Sequence, residues 1–221
     1  MNWHEEALDD DGRSAAAMLA EILGGAFYLA GGTGLALHLG HRVSLDLDLF
    51  SAEALLDAAE RDRIIAALGG GARLRILESK DGTCHLRVGG TMVSLFRYRY
   101  PLLEPAAEWR GFSVASLRDI AAMKVSAIVG RGSRKDFVDL YAVSGKLGLQ
   151  AVLEACKQKF VDHHDFVMQA LRALVHFEDA EKEPMPRLLQ EVAWDRVTAY
   201  FDREVPRALR AELRGPRSDR R

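Results

Sequence analysis

Two aspartates, Asp46 and Asp48, stand one residue apart in "RVSLDLDLF", and a glycine run, "GGTG", precedes them at residues 31 to 34. The stretch alternates strictly. Val43, Leu45, Leu47 and Leu49 fall on one face of an extended chain, and Ser44, Asp46, Asp48 and Phe50 on the other. At about 3.3 Å of rise per residue, the two aspartates sit on one side with α-carbons roughly 6.6 Å apart. Carboxylates so placed can converge on hard divalent cations such as magnesium, which prefer oxygen ligands. Two such ions about 3.5 to 4 Å apart stabilise the attacking and leaving oxygens of a phosphoryl or nucleotidyl transfer. The same pair also fits the polar face of an ordinary strand.

A metal of this kind works beside a phosphate, and the glycines offer one a place. "AFYLA" reads as a short buried strand, "LALHLG" as a buried helix, and Gly31-Gly32-Thr33-Gly34 as the turn between them. Backbone N–H groups at a helix N-terminus have no intrahelical partner and attract anions, and the Thr33 hydroxyl is at hand. Glycine pairs also mark plain turns, because they tolerate positive φ. Two familiar phosphate motifs fail: no GK[ST] follows for a P-loop, and "GTGLAL" lacks the third glycine of the dinucleotide fingerprint.

Other candidates lie around this pair. Arg42, just before the acidic strand, can clamp a phosphate or pair with Asp46 or Asp48. Lys124 lies on an otherwise apolar helix face with Ile120 and Ile128, where an ammonium needs a partner such as a triphosphate or must snorkel to water. Arg131 shares that side, and Arg134 and Lys135 extend a positive lip. Asp136 and Asp139, at i and i+3, share one helix face. They serve either as first-turn acids behind a Ser133 N-cap or in a catalytic or lysine-orienting role. His163-His164-Asp165 reads as a helix start, and the aromatics of "FRYRY" as strand packing that could also stack a base.

The elements that must position these groups follow from punctuation. Residues 5 to 23 form a helical pattern ending at Gly24-Gly25, and Ser51 heads a second amphipathic helix closed by Gly69-Gly70-Gly71. "ARLRILES", "TCHLRV" and "TMVSLFRYRYP" are strands joined by the hairpin dipeptides Asp81-Gly82 and Gly89-Gly90, and "FSVAS" is one more. From Ser116 onward the chain reads as helical, with breaks at Asp162-His163, Pro184 to Pro186 and Pro206. The expectation is an α+β protein: residues 1–115 as an α/β core with a mixed sheet of five or six strands flanked by helices, and 116–221 as a helical region.

With 221 residues, 48% hydrophobic and 28% charged, the chain falls in the globular range. A net charge of -2 exerts no global pull on nucleic acid, which leaves the basic patch from Arg118 to Lys135 and the arginine-rich tail "RAELRGPRSDRR" as local candidates. No run approaches the roughly 18 to 20 apolar residues of a membrane span, and the acidic start is unlike a signal peptide, so the expected address is the cytoplasm. Cys84 and Cys156 are too few for a zinc or disulfide framework and read as buried thiols.

Together, the GGT turn, the short helix and "HRVSLDLDLF" resemble the signature of the AbiEii/AbiGii-type nucleotidyltransferase toxins, a branch of the DNA polymerase β-like nucleotidyltransferase superfamily. That pattern is a G-[ST] turn, a short helix and DxD on the next strand. A helix carrying a lysine, then an arginine, then "RKDFVDLY" extends the likeness over about residues 25 to 145. The resemblance implies a polymerase β-like core that transfers NMP from an NTP to an acceptor hydroxyl with magnesium at a two-metal site. Asp46 and Asp48 would hold the metal. Gly31, Gly32, Thr33, Arg42, Ser44, Lys124 and Arg131 would bind the nucleotide, and Lys124, Asp136 and Asp139 would join the catalytic cleft from the helical region. The acceptor so implied is tRNA, and the setting a toxin–antitoxin pair, of the kind tied to abortive infection, with a cognate antitoxin.

One departure stands out: the superfamily commonly carries a third carboxylate on a later strand, where "TMVSLFRYRY" offers only Ser94. Asp136 or Asp139 replaces it, or the branch dispenses with it, or the protein is impaired. Two alternatives therefore stand beside the leading one: transfer to a small-molecule or protein hydroxyl, and a nucleotide-binding module without turnover.

Overall fold

The computed structural model describes residues 2–69 and 74–214. The expected turn at Gly70-Gly71, the first residues of "ARLRILES" and the arginine-rich tail beyond residue 214 lie outside the described residues. The chain divides into two compact units. One is Met1–Ile120 with Arg187–Gln190, and the other is Ala121–Pro186 with Glu191–Arg221.

The first unit is built on a mixed sheet of β1 (Tyr28–Leu29), β2 (Asp46–Ser51), β3 (Leu74–Lys80), β4 (Thr83–Val88), β5 (Thr91–Arg97), β6 (Ala107–Trp109) and β7 (Phe112–Val114), in the order β3-β4-β5-β2-β1-β7-β6. β2 runs parallel to β5, and β1 parallel to β7. The remaining pairs are antiparallel. Against it stand α1 (Asp10–Leu23), α2 (Gly31–Leu39) and α3 (Ala58–Ala67). The α+β class is as read from the sequence. The seventh strand, β6, escaped that reading because it is three residues long. It turns back through Arg110 and Gly111, both at positive φ, which suits a tight hairpin.

Alternation puts Leu47 and Leu49 of β2, Cys84 and Leu86 of β4, and Val93 and Leu95 of β5 into one buried cluster with Ala15, Ala16, Leu19 and Leu23 of α1. Local readings shift at three places. β2 begins only at Asp46, so Leu45 is exposed rather than in the core, because Val43 pairs with the late segment 187–190 instead of the sheet. Ser51 ends β2 and its Oγ accepts from the N–H groups of Glu53 and Ala54. The helix expected from there starts at Ala58, where Asp57 accepts from Glu60 N–H at 2.9 Å. Residues 5 to 7 form a separate 3-10 turn ahead of α1.

The second unit is helical. α4 (Leu117–Gly130) carries the chain from one unit into the other, followed by α5 (Arg134–Leu147), α6 (Leu149–Lys159), α7 (Phe166–Ala173) and α8 (Trp194–Arg214). Phe137 of α5 anchors an aromatic core, with ring centroids 5.2 Å from Phe177, 6.0 Å from Trp194 and 5.6 Å from Phe201. The break expected at Pro206 does not occur. Pro206 lies inside α8, whose buried stripe of Val197, Phe201, Val205 and Ala208 continues past it. That burial outweighs the local cost of the proline. Cys84 and Cys156 are buried and free, and burial raises both thiol pKa values, so both remain protonated and inert.

Candidate active site

In the first unit the glycine turn and the two aspartates are neighbours. β1 pairs antiparallel with β2, and Ala30 N–H at the end of β1 donates to the Asp48 carbonyl at 3.1 Å. Asp46 and Asp48 sit on the half-buried face of β2, opposite Leu47 and Leu49. Gly31 opens α2 with φ +60°, and a Cβ there would stand 2.6 Å from Asp48 Oδ2. The carboxylate thus rests against the turn itself, a closeness that only glycine permits.

Gly32 is hemmed in as well. A Cβ on it would run into the Arg42 guanidinium and lie 3.4 Å from Ser44 Oγ. Arg42 is 5% exposed, and its Nη1 donates to the Val43 carbonyl at 2.9 Å. Thr33, also buried, shares a 2.8 Å hydrogen bond with Ser44 Oγ, and its hydroxyl donates to the Asp46 carbonyl. That hydroxyl ties α2 to the acidic strand. Gly31, Gly32, Thr33, Arg42, Ser44, Asp46 and Asp48 therefore gather in one place, with Arg42 covering the turn.

A strap missed in the sequence holds this arrangement. Residues 187–190 pair with 41–43: Val43 N–H donates to Arg187 O at 2.8 Å, Leu189 N–H to His41 O at 3.0 Å, and Arg42 bridges Leu188. Gln190 Nε2 donates to Leu39 O at 2.8 Å and Gly40 O at 3.2 Å, closing the C-terminal end of α2. No periodicity or motif marks residues 187 to 190, and nothing local could have signalled a pairing so distant in sequence.

The second unit gathers the other candidates. Lys124 Nζ, on α4, lies 2.9 Å from Asp136 Oδ1 and 2.6 Å from Asp139 Oδ2, with both carboxylates fully buried and the lysine 5% exposed. Arg131 Nε donates to Asp136 Oδ2 at 2.8 Å, and Ser133 Oγ to the same oxygen at 2.7 Å. Burial by itself would raise the Asp136 pKa. The charges of Lys124 and Arg131 and the hydrogen bonds outweigh it, holding the carboxyl well below the usual carboxylate range. Ser133 stands at the N-cap position of α5 but spends its hydroxyl on Asp136 rather than on the backbone. Lys124 does not snorkel; it is the buried centre of an ion triad.

The lip expected at Arg134 is not open either. Arg134 donates to the carbonyls of Ala180 and Glu181 and lies 4.8 Å over the Trp194 ring, fastening its own unit together. Arg131, Ser133 and Lys135 face Glu183 to Pro186 across a groove of about 440 Å³. The start of α7 at Phe166, just past Asp165, matches the helix start read at His163-His164-Asp165.

Among the described residues no group of three or more His, Cys, Asp or Glu side chains forms a ready cation site. The donor set at Asp46 and Asp48 still suits a hard divalent ion that completes its shell with substrate phosphate oxygens and water, since magnesium is usually held by one or two carboxylates. Nor is any helix of the described residues long and apolar enough to cross a membrane.

A mixed sheet with acidic residues on a strand beside a glycine turn that opens a helix is the arrangement of a nucleotidyltransferase. Among solved structures, MenT4, a nucleotidyltransferase toxin from Mycobacterium tuberculosis, is similar with a TM-score of 0.57 at 16% identity, covering 91% of this chain and 85% of that one. JHP933 from Helicobacter pylori follows the same course with a TM-score of 0.53 at 16% identity, covering 95% of each chain. An uncharacterised Aquifex aeolicus protein, aq_aa25, is 38% identical over 188 residues, covering 83% of this chain and 88% of that protein. The profile described as "Nucleotidyl transferase AbiEii toxin, Type IV TA system" matches residues 15–219. The chain belongs to the AbiEii nucleotidyltransferase toxin family.

Proposed function

We propose that this enzyme is a magnesium-dependent nucleotidyltransferase that moves NMP from an NTP to a hydroxyl of tRNA, in the cytoplasm, as the toxin of a pair with a cognate antitoxin. The observation that carries the catalytic part is the packing of Asp48 against Gly31, with Asp46 on the same strand face. It supports a reading in which the two carboxylates hold a cation beside a turn that receives phosphate. The tRNA acceptor and the antitoxin rest on family membership.

In this reading the first N–H groups of α2 receive phosphate oxygens, since they have no partner within the helix. Arg42, seated on Gly32, adds a fixed positive charge there, and Thr33 and Ser44 brace the acidic strand rather than touch phosphate. Asp46 and Asp48 hold the magnesium. When bound, the metal supplies charge that stabilises the transferring phosphoryl group and the departing pyrophosphate. By family membership Lys124 is a candidate triphosphate-binding cation, with Asp136 and Asp139 fixing its position and Arg131 adding charge.

The test is incubation with labelled NTP, Mg²⁺ and purified tRNA. Label should enter tRNA, disappear with Asp48→Ala and disappear without Mg²⁺. Label entering a protein or small molecule instead would redirect the acceptor. Tight NTP binding with no pyrophosphate release from wild type would replace transfer with nucleotide binding alone.

A further inference from the structure

The sheet face that carries Asp48 continues through three more strands as a polar row. Asp48 on β2 is in register with Ser94 on β5, Ser94 with His85 on β4, and His85 with Glu78 on β3. Neighbouring strands lie about 4.8 Å apart, a step that one short side chain can bridge. One of the steps is bridged by a hydrogen bond, and a second is closed to a longer approach. His85 Nδ1 stands 2.9 Å from Ser94 Oγ, and His85 Nε2 stands 3.7 Å from Glu78 Oε2. Ser94 is 8% exposed and the His85 side chain 28%, so the hydroxyl is shielded while the ring reaches water.

An acceptor hydroxyl that attacks an NTP must lose a proton. Strand β5, "TMVSLFR", holds no carboxylate to take it, and the residue beside Asp48 on that strand is Ser94. Resting on the nucleotidyl-transfer reading, we propose that Ser94 and His85 form the proton path from the attacking hydroxyl. As the acceptor oxygen bonds to the α-phosphorus, its proton passes to Ser94 Oγ while the Ser94 hydroxyl proton passes to His85 Nδ1. The bond between the α-phosphorus and the bridging oxygen breaks, and pyrophosphate departs with that electron pair. His85, now an imidazolium, returns its proton to water. Ser94 touches the reacting hydroxyl; His85 acts through Ser94.

Glu78 favours this direction of transfer. Its carboxylate attracts a proton on Nε2, which leaves Nδ1 free to accept from Ser94, and it steadies the imidazolium afterwards. The hydrogen bond from Lys80, whose Nζ is 2.7 Å from Oε1, lowers the Glu78 pKa below its ordinary value. The other charged groups in register on this face are Asp46 and Asp48 of β2, Arg87 of β4, and Arg75 and Lys80 of β3. The ring of Phe96 packs edge-on to His85 at 5.5 Å and fixes its plane.

The experiment compares wild type, His85→Gln, Ser94→Ala and the double variant Ser94→Asp/His85→Gln across pH. It follows label transfer from NTP to tRNA and pyrophosphate release, with fluorescent NTP binding measured in parallel. Wild type should lose rate on the acid side as an imidazole protonates. His85→Gln and Ser94→Ala should be slower by about 100-fold, the low end of what a positioned base contributes, and should lack that limb while binding NTP as before. The double variant, with a carboxylate at position 94, should recover rate with its acid limb moved to lower pH. His85→Gln at wild-type rate with the wild-type pH profile would overturn the proton path and leave nucleotidyl transfer standing. If tRNA takes no label but pyrophosphate is released, the acceptor reading fails, and the same variants judge the path with water as acceptor. No pyrophosphate from wild type with any NTP would overturn both.

Discussion

Lys124→Met is the sharpest test of how the helical unit is held. The side chains are close in length, so the substitution removes the charge and leaves the volume nearly filled. Asp136 and Asp139, both 0% exposed, then lose a cation that stood 2.9 and 2.6 Å away. Breaking a buried ion pair by removing one partner typically costs about 3 to 5 kcal/mol. Asp136 keeps Arg131 and Ser133, so a value near the lower end, about 3 kcal/mol, is expected. For a chain of 221 residues each kcal/mol moves Tm by about 2 to 4 °C, giving a fall of about 6 to 12 °C by circular dichroism. The pH dependence has a definite sign. Asp136 titrates well below its ordinary 3.8 in the folded state, so its contribution is complete above about pH 4 and fades as pH falls toward the depressed folded value. In Lys124→Met the opposing charge is gone, burial pulls the carboxyl pKa upward, and the loss of stability on acidification should begin at higher pH than in wild type. Adding Asp139→Asn should restore part of the lost Tm. A variant that melts within a degree or so of wild type, with the same acid profile, would refute the reasoning, since such a pair could not be coupled as the distances require.

Gly31→Ala should expel Asp48 from the turn, because its Cβ would stand 2.6 Å from Oδ2 at a φ of +60°. Pyrophosphate release should collapse with a destabilisation of about 1 to 3 kcal/mol, read by activity and urea melts. If Asp46 holds the magnesium as proposed, Asp46→Asn should leave Tm near that of wild type, since the residue is only half-buried, and abolish Mg²⁺-dependent turnover, measured by pyrophosphate release against a metal titration. Phe137→Ala empties the centre of a ring cluster and should cost about 3 to 5 kcal/mol in the helical unit, visible as a lower urea midpoint. Gln190→Ala should loosen the C-terminal end of α2 by about 1 kcal/mol and weaken NTP binding, measured by fluorescent-nucleotide titration.

Much of the acidic strand was legible because alternation is a local property. Leu47 and Leu49 had to go inward, which left Asp46 and Asp48 together on the other face. The glycine turn was legible for a similar reason, since a strand running into "GGTG" and then into small aliphatics has few other ways to continue. Leu45 departs from the alternation because the sheet stops before it. What ends the sheet there is a strap from residues 187–190, and no local pattern announces a partner so far along the chain. The polar row across the sheet is hidden likewise: Ser94 is visible as a residue, but its register with Asp48 and His85 belongs to strand pairing.

Lys124 shows the division most clearly. Its helix face and its apolar neighbours follow from the 3.6-residue repeat, and so does the need for a partner. Which partner it has depends on where α5 lies against α4, and packing placed both Asp136 and Asp139 within 3 Å of its ammonium. By itself, then, the sequence determined the family, the α+β class and the residue types able to bind metal and phosphate, because these depend on spacing along the chain. Only the tertiary structure decided that Arg42 covers Gly32, that Thr33 braces the acidic strand and that His85 stands behind Ser94. Those contacts join segments that sequence distance keeps apart, and burial and strand register, rather than local propensity, select among the partners available.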